Sequence, residues 1–188
     1  MKKFATSLLM LLVATLASEI ALLVNNDTVM TVAALISFVL LFLSAIYEFI
    51  GLKKAAPDDE GYSKAYQAAV GLILAVILGI ILALVWKDVF SDNSTWLFTV
   101  VEILIGYYVI TTTIKRLEAN GNAAEVKLGK DALLAMEINW TASVLASVLA
   151  LFFKEGSFIK IIREVGYTMQ IVGTAYFYVF LSKAYKKL

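Results

Sequence analysis

The feature that most constrains this chain is a series of apolar runs, each about as long as a helix that crosses a lipid bilayer. A helix rises about 1.5 Å per residue, so roughly 20 apolar residues span the hydrocarbon core. The runs lack the strict alternation that is typical of a membrane β-barrel. The sequence therefore predicts an all-α integral membrane protein with six transmembrane helices, over Phe4–Val24, Val29–Ile50, Tyr66–Trp86, Trp96–Ile114, Ala132–Phe153 and Gly166–Leu181.

Composition agrees with this prediction and excludes several classes of function. Hydrophobic residues make up 61% of the 188 and charged residues only 16%. In soluble domains about one half of the residues are hydrophobic and about one quarter are charged. The net charge of +1 argues against a basic face for nucleic acid. Cys and His are both absent, which excludes disulfides, imidazole and thiolate metal sites, and Cys–His or Ser–His–Asp catalysis. We therefore expect no enzyme, no metal site, no cofactor and no nucleic-acid partner.

The six runs form three similar pairs. Each pair is bounded by basic residues, and the interval from the first lysine to the last is nearly constant: Lys2–Lys53, Lys64–Lys115 and Lys130–Lys183. The third and fifth runs also end in two segments whose residues match in chemical class position by position, Ile81–Asp88 and Val148–Glu155. Because such repeats fix architecture, we predict a single transmembrane domain, 1–188, of three in–out–in helical hairpins. The repeats cover residues 2–54, 64–116 and 130–187, and a pseudo-threefold arrangement would follow from them.

The basic residues also predict an orientation, because short cytoplasmic loops are enriched in Lys and Arg. With the N-terminus inside, the inner segments carry twelve of them: Lys2, Lys3, Lys53, Lys54, Lys64, Lys115, Arg116, Lys127, Lys130, Lys183, Lys186 and Lys187. The outer segments carry four: Lys87, Lys154, Lys160 and Arg163. We predict a multi-pass protein of the cell (inner or plasma) membrane with both termini cytoplasmic. The first run also resembles a signal peptide, although it fits the repeat as a retained span.

Small residues recur four apart in the odd-numbered runs. They are Gly71, Ala75, Gly79 and Ala83 in the third run and Ala142, Ala146 and Ala150 in the fifth. Such ridges let membrane helices approach closely, so we predict helix packing along them, with the odd-numbered helices at the centre of the molecule. The alternative is chance, since Ala and Gly are common in membrane helices.

Four glutamates enter the apolar runs: Glu19, Glu48, Glu102 and Glu137. Ionisable groups inside a membrane are costly and indicate function by default. Each of these lies within about 10 Å of an interface, so the alternative is that they reach headgroups or pair with nearby Lys and Tyr. Glu102 has Gln170 as its counterpart in the third hairpin. We predict a candidate polar cavity, which is lined by Glu102, Gln170, Glu19 and Tyr107.

A second polar group is predicted nearer the cytoplasmic side, where Glu137, Asn139 and Trp140 follow one another closely. Two functions fit these features. The chain is either a small transporter or channel for a small solute, a cation or a proton, or a non-catalytic scaffold or accessory subunit. In the second case its glutamates and small-residue ridges would contact another membrane protein or a second copy of the chain. The lipid bilayer is the expected partner in both.

Overall fold

The structure, a computed structural model, describes residues 1–24, 26–85, 95–152 and 157–188. These residues form six α-helices and a 3-10 turn at Ala56–Asp58, without any strand. The helices are α1 (Lys2–Val24), α2 (Asp27–Ala55), α3 (Glu60–Val85), α4 (Thr95–Ala119), α5 (Ala123–Phe152) and α6 (Ser157–Ala184). The all-α prediction is confirmed. Two segments in the described ranges, Lys2–Ala21 and Asp27–Asp58, are long and apolar enough to cross a membrane, while six crossings stay a prediction.

The helices follow one another around a closed ring. Each packs against the helices before and after it in the chain, α1 contacts α6, and the contacts within α1–α2 and α5–α6 are the most extensive. Across the described residues the odd-numbered helices make no contacts with one another. The predicted centre of odd-numbered helices is therefore wrong, because each odd helix lies between two even-numbered neighbours.

Local signals set several helix ends. The Asn26 side chain caps α2, since its Oδ1 accepts hydrogen bonds from the backbone N–H groups of Thr28 (3.0 Å) and Val29 (3.2 Å). Asp59 does the same for α3, accepting from the Gly61 N–H at 2.9 Å. Gly121 ends the turn after α4 with a φ of 72°, a left-handed conformation that favours glycine.

The core lies mainly at the end of the ring that carries both termini, which we call the basal end. Its fully buried large side chains come from five helices and are Phe4, Leu52, Tyr62, Leu117, Phe180 and Leu181. At the opposite, open end, apolar side chains are mostly exposed: Ile20, Val24, Leu35, Leu74, Ile77, Phe158 and Ile161. The described residues are therefore packed more closely at the basal end than at the open end.

Serines link α1 to α2. The Ser44 hydroxyl donates to the Ser7 carbonyl at 2.9 Å, and the Ser37 hydroxyl donates to the Ala14 carbonyl at 3.0 Å. The hydroxyl oxygens of Ser18 and Ser37 lie 2.9 Å apart. Hydrogen bonds of this kind hold two apolar helices in one register, because the serines must otherwise bond only within their own helix. They also fix the side of α2 that faces α1.

Candidate functional site

Glu102 lies on the inward side of α4. It precedes Ile105, Val109 and Thr113 by one, two and three turns, and all three of those residues are buried. Residues at this spacing share one face of a helix. Glu102 itself is exposed, because the packing that covers the lower part of this face ends before it. The Glu102 carboxylate therefore lies nearer the open end than these buried residues, on the same face of α4.

Glu48 of α2 lies near Glu102. It is half-buried and lies between Ser44 and Gly51, which both pack against α1. The carboxyl groups of Glu48 and Glu102 are close enough to interact electrostatically. Because α2 and α4 are not neighbours in the ring, this interaction would act across its interior. Sequence reasoning identified Glu48 among the intramembrane glutamates but did not join it to the site.

Neither carboxylate of this pair has a basic partner in the part of the chain that the structure describes. The salt bridges found there are Lys64–Glu60 at 2.8 Å and Lys130–Glu118 at 2.9 Å. No third acidic residue joins the pair within the described ranges to make a larger cluster. Two neighbouring carboxylates repel each other unless one binds a proton or both share a cation. Proton or cation binding is therefore the chemistry that this arrangement offers.

Gln170 belongs to the α5–α6 hairpin. Two glycines of α6 lie against α5 on either side of it, and the contacts are Gly166 with Ala142 and Gly173 with Met136. In this antiparallel register Gln170 faces the position of Asn139, which is only 8% exposed. Gln170 therefore lies at the α5–α6 contact, and a meeting with Glu102 stays a prediction.

The other two residues of the predicted cavity lie elsewhere. The Glu19 carboxylate of α1 lies near the Tyr167 hydroxyl of α6. Tyr107 is exposed on another face of α4, with its ring 6.3 Å from that of Tyr108. None of the four predicted residues lines the cavity beside residues 118–131 or the groove between α5 and α6. The four are thus distributed over separate interfaces of the ring.

The predicted inner cluster is also divided among different faces of α5. Asn139 is buried and accepts a hydrogen bond from the Ser143 hydroxyl at 3.4 Å. The Trp140 ring packs on Gly106 of α4, 3.1 Å from where a Cβ would lie. Glu137 is exposed and lines a groove between α5 and α6. These three residues therefore lie in three different environments.

The small-residue ridges behave differently in the two helices. In α3, Gly71 and Ala75 are exposed, and no atom lies within 4 Å of the Cβ position of Gly71. In α5, Ala146 is buried and Ala142 contacts Gly166 of α6. The surroundings of Gly79, Ala83 and Ala150 lie outside the described side chains. Close helix approach is therefore seen at Ala142 and is not seen at Gly71.

Comparison with known proteins returns no match, whether with protein-family models, with curated proteins or with solved structures.

Proposed function

We propose that this chain is a six-span membrane protein that carries protons or small cations, alone or coupled to a small solute, with Glu48 and Glu102 as the ion-binding pair. The first support is the exposed apolar surface. On α2, Leu35, Phe38 and Phe42 are 63%, 70% and 62% exposed, and only 11% of the most apolar window of this helix is buried. A surface of this kind requires lipid or a partner, and a buried core helix of a soluble protein would not have it.

Helix length supports the remaining crossings. The six helices have between 23 and 30 residues, and about 20 suffice for the hydrocarbon core. Basic residues occur in the last turns of α2, α4 and α6, at the basal end. By the positive-inside rule this end faces the cytoplasm and so do both termini.

The carboxylate pair carries the functional proposal. In a membrane interior an ionised carboxylate is costly, and two neighbouring ones without a basic partner are costlier still. Such a pair gains most from a proton or a monovalent cation that neutralises one charge.

Reconstitution into liposomes tests the proposal. Liposomes with a trapped indicator for H⁺, Na⁺ or K⁺ receive an inward gradient of that ion, and its flux is compared for the parent, Glu48→Gln and Glu102→Gln. We expect at least about a tenfold loss of flux in each variant, because each removes an ionisable ligand. Glu125→Gln, a change near the start of α5, is the matched control and should retain flux. Equal flux in all four proteins would refute the role of the pair.

A second candidate function has its own observation. The open space around Gly71 and the exposed Ala75 suit an accessory subunit, whose α3 would contact a helix of another membrane protein or of a second copy. Because the chain has no cysteine, a single Gly71→Cys variant reports this directly. Cross-linking in native membranes at Gly71, and none at the buried Ala69, is the expected result for this function.

A further inference from the structure

A groove on the outer side of the α5–α6 hairpin is separate from the carboxylate pair. Its volume is about 410 Å³, within the range of pockets that hold small molecules. The lining residues come from two helices and are Glu137, Ile138, Thr141, Ala142, Leu145, Ile161, Ile162 and Val165. Apart from one threonine and one carboxylate, the lining is apolar.

The shape of the groove follows from a close helix contact. A Cβ at Gly166 would lie 3.2 Å from the Cβ of Ala142, so α5 and α6 approach most closely where both carry small residues. Branched side chains rise on both sides of this line, with Leu145 on α5 and Ile161 on α6. From Glu137 to Leu145 the groove extends over about 12 Å of helix, which accommodates a compact apolar molecule.

Among the lining residues that the structure describes, Glu137 is the one that ionises. It is exposed, and within the described ranges no Lys or Arg forms a salt bridge with it. A carboxylate at one end of an apolar groove attracts a cation, and the attraction strengthens where water is scarce. The groove and its charge therefore complement one chemical class, an organic cation with a bulky apolar body.

We infer that this groove binds a hydrophobic organic cation, whose apolar body lies between α5 and α6 and whose charge lies at Glu137. Neither a lipid acyl chain nor a second copy of the chain would need this carboxylate. The inference does not depend on the Glu48–Glu102 pair, which occupies other helices. It gives the protein a site for a ligand that enters from the membrane.

Binding of tetraphenylphosphonium to the purified full chain in detergent micelles tests the inference. We expect saturable binding that falls at least about tenfold in Glu137→Gln, since the ionic contact lies in a medium of low polarity. Glu137→Asp keeps the charge and should retain most of the affinity. Thr141→Trp, which fills the groove without changing the carboxylate, should also abolish binding, and it serves if Glu137→Gln fails to fold.

The matched probe is tetraphenylborate, which has the same shape and the opposite charge. Its partitioning into the micelles should be the same for parent and Glu137→Gln. Retained tetraphenylphosphonium binding in the double variant Glu48→Gln/Glu102→Gln would separate this site from the proposed ion pair. Unsaturable uptake by the parent, or an affinity that changes less than about twofold in both Glu137→Gln and Thr141→Trp, would overturn the inference.

Discussion

The phenol oxygen of Tyr62 on α3 lies 2.8 Å from the hydroxyl oxygen of Thr113 on α4, and both side chains are fully buried. The direction of this hydrogen bond follows from a second one, because the Thr113 hydroxyl already donates to the Val109 carbonyl at 2.7 Å. Tyr62 is therefore the donor. Burial raises the pKa of the Tyr62 phenol, so the proton that this bond needs stays in place. The Arg116 guanidinium lies 5.7 Å from the ring centre and adds a cation–π contact.

Removing this donor tests how firmly the basal end holds α3 to α4. Tyr62→Phe should lower the free energy of unfolding by about 1 kcal/mol, the usual net value of one hydrogen bond. Thr113 keeps its bond to Val109, so no donor is left unsatisfied. Unfolding by denaturant in mixed micelles, followed by circular dichroism, measures the change. Tyr66→Phe, one turn later and without a hydrogen bond to its hydroxyl in the described residues, is the control, and an equal loss in both would contradict the assignment.

Two helical glycines should respond oppositely to alanine. At Gly51 a Cβ would lie 2.7 Å from the backbone nitrogen of Phe4, so α1 and α2 must move apart. We expect Gly51→Ala to cost about 1–3 kcal/mol of unfolding free energy. At Gly71 nothing lies within 4 Å, so Gly71→Ala should be neutral or stabilising by up to about 1 kcal/mol. The same denaturation assay measures both changes. A larger loss of unfolding free energy in Gly71→Ala than in Gly51→Ala would contradict this description of the packing.

Sequence reasoning was accurate where a local rule determines structure. The apolar runs predicted helices, and the described residues form six of them. Each helix packs against both of its neighbours in the chain, so the division into three repeated hairpins stays a prediction. Helix ends were less accurate, since α5 begins at Ala123, well before the apolar run that starts at Ala132. Apolar runs mark the part of a helix that a membrane would cover, and helices extend beyond it wherever their backbone stays hydrogen-bonded.

Side-chain neighbours across the ring were not predictable from depth alone. Glu102 and Gln170 occupy equivalent depths in the predicted repeat, yet Gln170 lies between two glycines of α6 that contact α5, while Glu102 shares a face of α4 with Ile105 and Val109. Which residues meet depends on the rotation of each helix, and this rotation is set by contacts such as Gly51 on Phe4. One signal was available in the sequence: Glu48 stands four residues after Ser44 and three before Gly51, and small residues at that spacing often mark a packed face.

The paired hydroxyls of Ser18 and Ser37 allow a measurement of coupling between α1 and α2. A double-mutant cycle with Ser18→Ala and Ser37→Ala should give a coupling energy of about 0.5–1 kcal/mol, as hydrogen bonds between membrane helices do. Ser7 and Ser44 provide the control, because Ser44 donates to the backbone carbonyl of Ser7 and not to its hydroxyl. The Ser7→Ala/Ser44→Ala cycle should therefore show almost no coupling. Equal coupling energies in the two cycles would contradict the geometry.

The pair Glu60 and Lys64 predicts a titration shift at the start of α3. The Lys64 ammonium, 2.8 Å away, lowers the pKa of Glu60 below its ordinary value of 4.5. A lowered pKa means that the contribution of the pair to stability is present above pH 4.5 and is lost as the pH falls through the lowered value. Carbon-13 NMR of labelled glutamate should show the Glu60 midpoint return toward 4.5 in Lys64→Met. Lys53→Met should leave it unchanged, and an unshifted midpoint in Lys64→Met would mean that no such ion pair forms in solution.

The absence of cysteine in the chain makes the proposed topology directly measurable, because every introduced cysteine is unique. Four exposed positions serve: Asn26 and Phe158 at the open end, and Lys54 and Asn120 at the basal end. We expect a membrane-impermeant maleimide to label the first two in intact cells, and the last two only after permeabilisation, because basic segments stay in the cytoplasm. Labelling of Asn120→Cys in intact cells would show that α3 and α4 do not return the chain to the cytoplasm. The six-span topology, on which the proposed function depends, would then be wrong.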